Sequence, residues 1–241
     1  MCVHASIEPL AWESEYFHLR TAKLAFSTAA PILTTADFQP FDIVQAKIPA
    51  DRVTLADDLA NLGFRLVEGE IDLSLSIERA QLGTEPANSQ PMGSSCRIAS
   101  AEDIPWLRTQ AAQAFALSRF RAPWYQADDS ARFYAEWVEK AVLGTFDHQC
   151  LLVLNAQMKP AGFVTLRALD NGEARIGLLA VAPECSGLGV GRQLMLLAQN
   201  WCRDKNLSRL HVATQIGNIP ALRLYIRSGA VIESTAYWLY R

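Results

Sequence analysis

Three glycines at alternate positions, Gly187, Gly189 and Gly191, form the stretch of this sequence best suited to hold a ligand. They follow an almost uninterrupted apolar run, Ala174 to Ala182, which predicts a strand buried on both faces. Beyond them, apolar residues recur at helical spacing as far as Trp201, which predicts a helix with one core-facing stripe. Because glycine carries no side chain to cover its backbone, the N–H groups at the start of that helix can bind a phosphate or pyrophosphate.

The residues around the glycines indicate which class of phosphate-containing ligand the turn could bind. A nucleotide-hydrolysing P-loop needs Lys and then Ser or Thr after the last glycine, whereas Arg192 and Gln193 stand there. A dinucleotide fold expects a carboxylate at the end of the next strand. That strand, Leu207 to Ala213, is followed instead by Thr214 and Gln215. These residues do not exclude the alternative interpretation, in which the glycine turn binds no ligand.

Two signatures in this part of the chain resemble the GNAT superfamily of N-acetyltransferases. Ser186-Gly-Leu-Gly-Val-Gly191 is similar to the family's loop for the pyrophosphate of acyl-coenzyme A, and Leu179-Ala-Val-Ala-Pro183 to the strand before it. Asn218-Ile-Pro-Ala-Leu-Arg-Leu-Tyr225-Ile-Arg-Ser-Gly229 matches the second signature. The chain departs from the family at Ser186, where members carry Arg or Gln, so that side-chain contact is absent and the backbone must hold the phosphates.

The resemblance implies acetyl-coenzyme A as co-substrate and a GNAT fold, an α/β (α+β) architecture with a mixed central sheet flanked by helices. It implies that the backbones of Leu179 and Val181 bond the pantetheine amides and polarise the thioester. Asn218 is expected to contact coenzyme A, and it is equally a good N-cap for the last helix. The expected cofactor-binding residues are Leu179, Ala180, Val181, Gly187, Leu188, Gly189, Val190, Gly191, Arg192 and Asn218.

Acetyl transfer from a thioester also needs a group that protonates the departing thiolate, and Tyr225 is the candidate. It lies in the last predicted helix, on the same stripe as Ala221 and Leu224. The competing interpretation is a packed helix residue with a satisfied hydroxyl.

Candidates for the acceptor side of the reaction lie in two places. Glu68 and Glu70 alternate with apolar residues, so both face one side of a predicted strand. Glu68 is the candidate base that would deprotonate the amine, with a solvated surface position as the alternative for at least one of the two. Cations alternate with aromatic rings after the first helix of the second half, in a combination that suits a nucleotide diphosphate and its base. The alternative for this segment is a solvated edge with buried rings. The expected substrate-binding residues are Arg119, Arg121, Trp124, Tyr125 and Arg132.

Further stretches along the whole chain resemble a branch of the family that acetylates a sugar nucleotide. They include Val67-Glu-Gly-Glu70, Ser118-Arg-Phe-Arg-Ala-Pro-Trp-Tyr125 and Glu233-Ser-Thr-Ala-Tyr-Trp-Leu-Tyr-Arg241. This resemblance implies that the acceptor is the 4-amino group of dTDP-4-amino-4,6-dideoxy-D-galactose, a precursor of enterobacterial common antigen. A GNAT enzyme that acetylates a protein or another small amine is the alternative, and a sensor that binds acyl-coenzyme A without turnover is a third.

Composition excludes several other classes of protein. The net charge of −3 and a pI near 5.8 disfavour nucleic acid or an anionic membrane as a partner. The five cysteines are scattered and include no Cys-x-x-Cys motif, so we expect no metal site and a reducing, cytoplasmic location. The first nine residues lack the features of a signal peptide, and no apolar run is long enough to span a bilayer.

The elements that must position these residues fall into two predicted units. Residues 1–78 form a smaller N-terminal α/β domain, 79–95 a linker rich in Pro, Gly and polar residues, and 96–241 the GNAT domain. The second unit predicts a strand, two helices, three antiparallel strands, a helix, a strand, a helix and a final strand. Residues 231–241 have room for one long strand or two very short ones, so we expect the first unit to supply the missing sheet neighbour. The open edge of such a short sheet favours a homodimer.

Overall fold

The computed structural model describes residues 2–77, 95–115 and 118–241. The first part contains β1 (Ala5–Pro9), α1 (Ala11–Phe17), β2 (Thr21–Phe26), β3 (Ile43–Pro49), α2 (Val53–Asn61) and β4 (Arg65–Ser76). The second begins with β5 (Ser95–Ile98), α3 (Ile104–Ala114), α4 (Asp129–Val142), β6 (Gln149–Leu154), β7 (Pro160–Ala168) and β8 (Ala174–Val181). It ends with α5 (Val190–Asp204), β9 (Arg209–Gln215), α6 (Ile219–Arg227) and β10 (Val231–Tyr240).

All ten of these strands lie in one mixed sheet, in the order β1-β2-β3-β10-β4-β9-β8-β7-β6-β5. The pairs β2–β3 and β8–β9 are parallel, and the other neighbours are antiparallel. The expected mixed sheet flanked by helices, including three consecutive antiparallel strands β6 to β8, is therefore confirmed.

The C-terminal strand is one long strand that pairs on both sides. β10 lies between β3 and β4, so the first part of the chain supplies both of its neighbours, as the short C-terminal stretch predicted. It is not an edge strand, and the open edge on which the expected homodimer rested is therefore filled within the chain.

The two predicted units share this sheet, because β4 of the first lies between β10 and β9 of the second. The division into residues 1–78 and 96–241 stays a prediction. The predicted linker, 79–95, lies outside the described residues except for Ser95, the first residue of β5.

Local sequence signals explain how the helices begin. Ser100 and Asp103 form a capping box around the short turn that leads into α3, in which each side chain accepts the other's backbone N–H. The sequence pattern predicts that α3 ends at about Ala116, which lies, together with Leu117, outside the described residues.

Apolar side chains pack on both faces of the sheet. One core cluster joins the central strands to α5 and α6, and it includes Leu194, Val212 and Tyr225. A second, rich in aromatic rings, lies among α1, α3, α4 and the opposite face, and a third lies under α2. The sheet is thus held from both sides around β8 and β9, where the expected cofactor residues lie.

Candidate active site

The glycine turn before α5 is open toward solvent. Gly187 and Gly189 have φ values of +77° and +82°, which L-residues with a side chain rarely adopt. A Cβ added to either would meet no atom within 4 Å. Gly189 is the N-cap of α5 and no side chain caps the helix, so its first N–H groups point to open space. A phosphate can therefore reach those groups and the positive end of the helix dipole.

Gly191 has a different role from the other two glycines. A Cβ there would lie 3.1 Å from Cδ2 of Leu224 in α6, so its small size allows α5 and α6 to pack closely. Leu188 is two-thirds exposed at the tip of the turn, whereas Val190 is buried.

Strands β8 and β9 separate beside this turn. They pair only through Ala174 with Leu210 and Arg175 with His211, although both strands continue well beyond those pairs. The later part of β8, including Leu179 and Val181, therefore borders a gap rather than a paired neighbour.

A β-bulge decides which backbone groups of β8 face that gap. The register between β7 and β8 moves from Leu166–Ile176 to Val164–Leu179, so two residues of β8 oppose Thr165. Beyond the bulge, Ala182 donates its N–H to the carbonyl of Ala161 at 2.9 Å. Backbone groups alternate in direction along a strand. The pairing of Ala182 with β7 therefore leaves Leu179 and Val181 facing the gap, whereas Ala180 is turned toward β7.

The bulge is supported by a buried polar cluster. The Thr165 hydroxyl accepts the Leu178 N–H at 2.9 Å and donates to the Asp147 carboxylate at 2.6 Å. Asp147 is fully buried and also accepts the indole N–H of Trp137 at 2.8 Å. Sequence analysis did not identify this cluster, because its members are brought together by strand pairing and helix packing.

Asn218 is the N-cap of α6, as one of the two readings expected. Its Oδ1 accepts the Ala221 N–H at 3.3 Å, and its Nδ2 donates to the Thr214 hydroxyl at 3.1 Å. These contacts connect the start of α6 to the end of β9, on the open side of the gap. A contact of Asn218 with coenzyme A stays a prediction.

Tyr225 lies two residues before the end of α6, and 5% of its surface is exposed. Its ring belongs to the core cluster against which the side chains of Leu179 and Val181 pack. Its hydroxyl makes no hydrogen bond within the part of the chain that the structure describes. Burial raises the pKa of this phenol, so it keeps its proton across the physiological range. The group is available as a donor, and its role as acid stays a prediction.

The carboxyl group of Glu68 lies in an unusual environment for an acidic side chain. Burial raises the pKa of its carboxyl group from 4.5 to about 7. The charge of Arg119 and hydrogen bonds from Gln215 and the Arg119 backbone lower this pKa, whereas the nearby charge of Glu70 raises it. A carboxylate with a pKa near neutrality is suited to take up a proton during turnover.

The neighbours of Glu68 on the same sheet face distinguish it from Glu70. Trp238 of β10 lies opposite Glu68, and Lys47 of β3 lies opposite Trp238. Glu70 accepts hydrogen bonds from Lys47 Nζ at 2.5 Å and from Trp238 Nε1 at 3.0 Å. Glu70 is thus held by a cation and an indole, whereas Glu68 has no ion-pair partner within 4.0 Å among the described residues.

Two of the expected substrate-binding residues lie beneath the surface. The Arg119 guanidinium donates to Oε1 of Gln45 at 3.0 Å and to the Tyr240 hydroxyl at 2.5 Å, and it lies 3.5 Å from the Glu13 carboxylate. Tyr125 is 4% exposed, and its hydroxyl accepts a hydrogen bond from Gln45 at 3.2 Å. These groups are committed to contacts within the protein, and a direct contact with substrate stays a prediction for both.

The other three expected substrate-binding residues are more exposed to solvent, but they do not form one cluster. Arg121 is exposed and donates to the Val67 carbonyl at 3.0 Å, at the edge of the face that carries Glu68. The half-buried Trp124 ring lies 5.6 Å, centroid to centroid, from the Tyr240 ring. Arg132 instead pairs with Asp129 in its own helix, α4.

Sequence reasoning missed the polar residues that β3 and β10 contribute to this face, namely Gln45, Lys47, Trp238 and Tyr240. Their alternate spacing was visible in the sequence. Their position beside Glu68 follows only from the pairing of β10 with β3 and β4.

The described residues contain no group of three or more His, Cys, Asp and Glu side chains arranged to hold a metal ion. Among the same residues, no helix has the length and apolar character needed to cross a bilayer.

Comparisons with known proteins found a matching family and a similar protein. The model of the acetyltransferase (GNAT) family matches residues 109–230. The chain is 48% identical, over the full length of both proteins, to dTDP-fucosamine acetyltransferase of Escherichia coli O6:H1.

Solved structures show the same fold at low sequence identity. A tandem GNAT protein from the clavulanic acid biosynthesis pathway superimposes with a TM-score of 0.62, covering 92% of this chain and 74% of its own, at 15% identity. A GCN5-related N-acetyltransferase from Sphaerobacter thermophilus gives a TM-score of 0.60, covering 83% and 59% of the two chains, at 16% identity.

Proposed function

The chain belongs to the acetyltransferase (GNAT) family, and we propose that it acetylates the 4-amino group of dTDP-4-amino-4,6-dideoxy-D-galactose with acetyl-coenzyme A. It is an acyltransferase, and its family uses acetyl-coenzyme A as co-substrate. The observation that carries the choice of acceptor is the 48% identity to dTDP-fucosamine acetyltransferase over the whole of both chains. That match includes β3 and β4, whose residues Lys47 and Glu68 line the face beside the gap.

The glycine turn is the proposed binding site for the pyrophosphate of coenzyme A. Its support is the open, uncapped start of α5 together with the positive φ values of Gly187 and Gly189. Because Ser186 replaces the family's Arg or Gln, the proposed binding relies on backbone N–H groups. The gap between β8 and β9 would take the pantetheine, with the backbones of Leu179 and Val181 bonding its amides. The backbone of Ala180 faces β7, so only its side chain could line that path.

In the proposed reaction, Glu68 removes a proton from the acceptor's ammonium group, directly or through one water. The neutral nitrogen then attacks the thioester carbonyl. A C–N bond forms, the C–S bond breaks, and Tyr225 donates its proton to the departing thiolate. The nitrogen gives up its second proton through solvent water, from which the Tyr225 phenolate recovers one proton, and Glu68 returns its proton to solvent. The raised pKa of Glu68 supports its role, since this carboxyl group can exchange a proton near neutrality. The role of Tyr225 is supported by its position in the core cluster against which Leu179 and Val181 pack.

The acceptor is proposed to lie on the sheet face of Glu68, against the loop that carries Arg121 and Trp124. Arg119 and Tyr125 stabilise this face through their hydrogen bonds with Gln45 and Tyr240. Placing the amine beside the thioester in one ternary complex supplies much of the rate, because it removes the entropic cost of a bimolecular encounter.

We further propose that the product serves enterobacterial common antigen synthesis in the cytoplasm. We also propose that the protein forms a homodimer, through one of the outer strands of the sheet, β1 or β5, rather than through β10. All five cysteines are free, which agrees with a reducing compartment. Light scattering at several protein concentrations tests the dimer, and a constant monomer mass would contradict it.

The experiment that tests the function measures thiol release from acetyl-coenzyme A in the presence of a panel of amine acceptors. We expect turnover with dTDP-4-amino-4,6-dideoxy-D-galactose and little with the same sugar lacking the nucleotide. The panel also contains a lysine-rich peptide and simple amines, which represent the alternative acceptors. Turnover with those acceptors, and none with any dTDP-amino sugar, would overturn the proposal.

A further inference from the structure

A β-bulge in β4 turns Arg65 to the sheet face that carries Glu68. Glu68 lies opposite Trp238 of β10, and Arg65 lies opposite Tyr240. Over this interval, a step of two residues along β10 corresponds to a step of three residues along β4. Side chains alternate along a strand, so residues three apart normally point to opposite faces. Val67 is the additional residue in β4. It restores the alternation of side chains between the two faces, so Arg65 and Glu68 lie on one face.

Arg65 lies there beside an indole ring and a second arginine. Its guanidinium carbon lies 4.8 Å from the centroid of the Trp124 ring. Arg121 approaches the same bulge from its loop, with hydrogen bonds of 3.0 Å to the carbonyls of Val67 and Ala122. Both arginines are exposed, and neither has an ion-pair partner within 4.0 Å in the described ranges 2–77, 95–115 and 118–241.

The contacts of the two side chains leave them able to bind an anion. An indole under a guanidinium engages the flat face of the cation and leaves the N–H groups at its edge free. Those groups form a planar fork that suits phosphate oxygens. Two such cations, without carboxylate partners among the described residues, lie at one rim of the face that carries Glu68, whereas the cation Lys47 on that face is paired with Glu70.

The spacing between Arg65 and Glu68 fits a sugar nucleotide. Three residues of strand correspond to about 10 Å, less where a bulge shortens the path. This is comparable to one hexose ring together with the first phosphate attached to it. An acceptor whose amine lies at Glu68 would therefore bring its phosphates to the two arginines.

We propose that Arg65, acting with Arg121, binds the diphosphate of the acceptor and selects nucleoside-diphosphate sugars over free amino sugars. Trp124 positions the Arg65 guanidinium for this contact. The inference rests on the proposed function, because it assumes that the acceptor is a sugar nucleotide and that its amine lies at Glu68.

The test compares the wild type with Arg65→Ala and Arg65→Lys, and uses Arg52→Ala as the matched control. Arg52 is also exposed, but it lies at the start of α2, over a different core cluster. We expect Arg65→Ala to raise the KM for the dTDP-amino sugar at least 10-fold and to leave the KM for acetyl-coenzyme A within 2-fold. The KM of Arg65→Lys for the dTDP-amino sugar should lie between those of the wild type and Arg65→Ala, because lysine keeps the positive charge but lacks the planar guanidinium group. Arg52→Ala should match the wild type.

Binding of dTDP alone separates this inference from the proposed function, because it needs no turnover. Calorimetry should show at least 10-fold weaker dTDP binding by Arg65→Ala, and an equal unfolding temperature would exclude loss of fold as the reason. Unchanged dTDP affinity in Arg65→Ala, or no dTDP binding by the wild type at millimolar concentration, would overturn the inference. If the wild type binds dTDP through Arg65 but acetylates no dTDP-amino sugar, the diphosphate site at Arg65 stands, whereas its role in selecting acceptors fails together with the proposed reaction.

Discussion

Arg175 of β8 pairs with His211 of β9, and this is the last of the two pairs that join these neighbouring parallel strands in the described part of the chain. By contrast, β9 pairs with β4 through seven residues on its other side. The sheet is therefore continuous at β4–β9 and open at β8–β9. A cleft between strands at this point exposes the backbone of Leu179 and Val181, next to the start of α5 and the ring of Tyr225. Each of these features can be tested separately.

Tyr225→Phe should lower kcat by about 10²- to 10⁴-fold, because the thiolate would leave without a proton donor at contact distance. The affinity for coenzyme A, measured by calorimetry, should stay within 2-fold, since the ring is retained. Tyr237→Phe is the matched control, because Tyr237 packs against the separate core cluster under α2. Near-normal kcat in Tyr225→Phe would leave Tyr225 as a packing residue only.

Glu68→Gln should remove the rise of kcat/KM with pH that the wild type shows near pH 7. Burial raises the pKa of Glu68 to about 7, and a base acts only when it is deprotonated, so wild-type activity should increase as pH rises through that value. Initial rates across pH 5.5 to 9 give the profile. Glu8→Gln, which changes an exposed carboxylate of β1, should keep the wild-type profile. An unchanged rise in Glu68→Gln would show that another group titrates.

The stability of the protein should also depend on pH through Glu68. Its pKa is higher in the folded state than the ordinary value of 4.5, so the folded state binds more protons between about pH 4.5 and 7. The free energy of unfolding should therefore fall as pH rises across this window, by about 1–2 kcal/mol after allowance for partial exposure. Urea unfolding at several pH values measures this change. Glu68→Gln should lack this contribution, and an identical pH dependence in both proteins would contradict a buried, perturbed carboxyl group.

Gly189→Ala should weaken coenzyme A binding about 10-fold or more, because a Cβ at the N-cap of α5 covers the N–H groups proposed to hold the pyrophosphate. Gly144→Ala is a close control. Gly144 also has a positive φ, +69°, and no atom within 4 Å of an added Cβ. Both changes should cost about 1 kcal/mol of stability from backbone strain. Equal coenzyme A affinities for the two variants, measured by calorimetry, would exclude the glycine turn as the binding site.

Gly177→Ala should destabilise the protein by about 1–3 kcal/mol or more, because the site has no room for a methyl group. An added Cβ would lie 2.3 Å from Oδ2 of Asp147 and 2.7 Å from the Thr165 hydroxyl. Since these groups support the bulge in β8, activity should fall together with the midpoint of thermal unfolding. Gly217→Ala, where a Cβ meets no atom within 4 Å and φ is not positive, should change neither quantity. A normal midpoint for Gly177→Ala would show that the cluster is not tightly packed.

The turn and the helices at the proposed cofactor side were largely predictable from the sequence, because their determinants are local. The glycines at 187, 189 and 191 and the apolar stripe after them specify a turn followed by a helix. Asn218 and Pro220 specify the start of α6, and helical periodicity then places Tyr225. Each signal acts within a few residues, through backbone conformation and capping, so tertiary contacts were not needed to recognise it.

The acceptor side was decided by the tertiary structure. Trp238 donates to Glu70 across 168 positions of sequence, and Arg65 shares a face with Glu68 only because β4 contains a bulge opposite β10. The burial of Arg119 and Tyr125 depends on Gln45 and Tyr240, which come from strands of opposite ends of the chain. Strand register is set by packing on both sheet faces rather than by local propensity, and a shift of one residue exchanges the faces of all side chains beyond it. For this reason the sequence alone could predict Glu68 and Arg121 as candidates, whereas the positions of their partners required the assembled sheet.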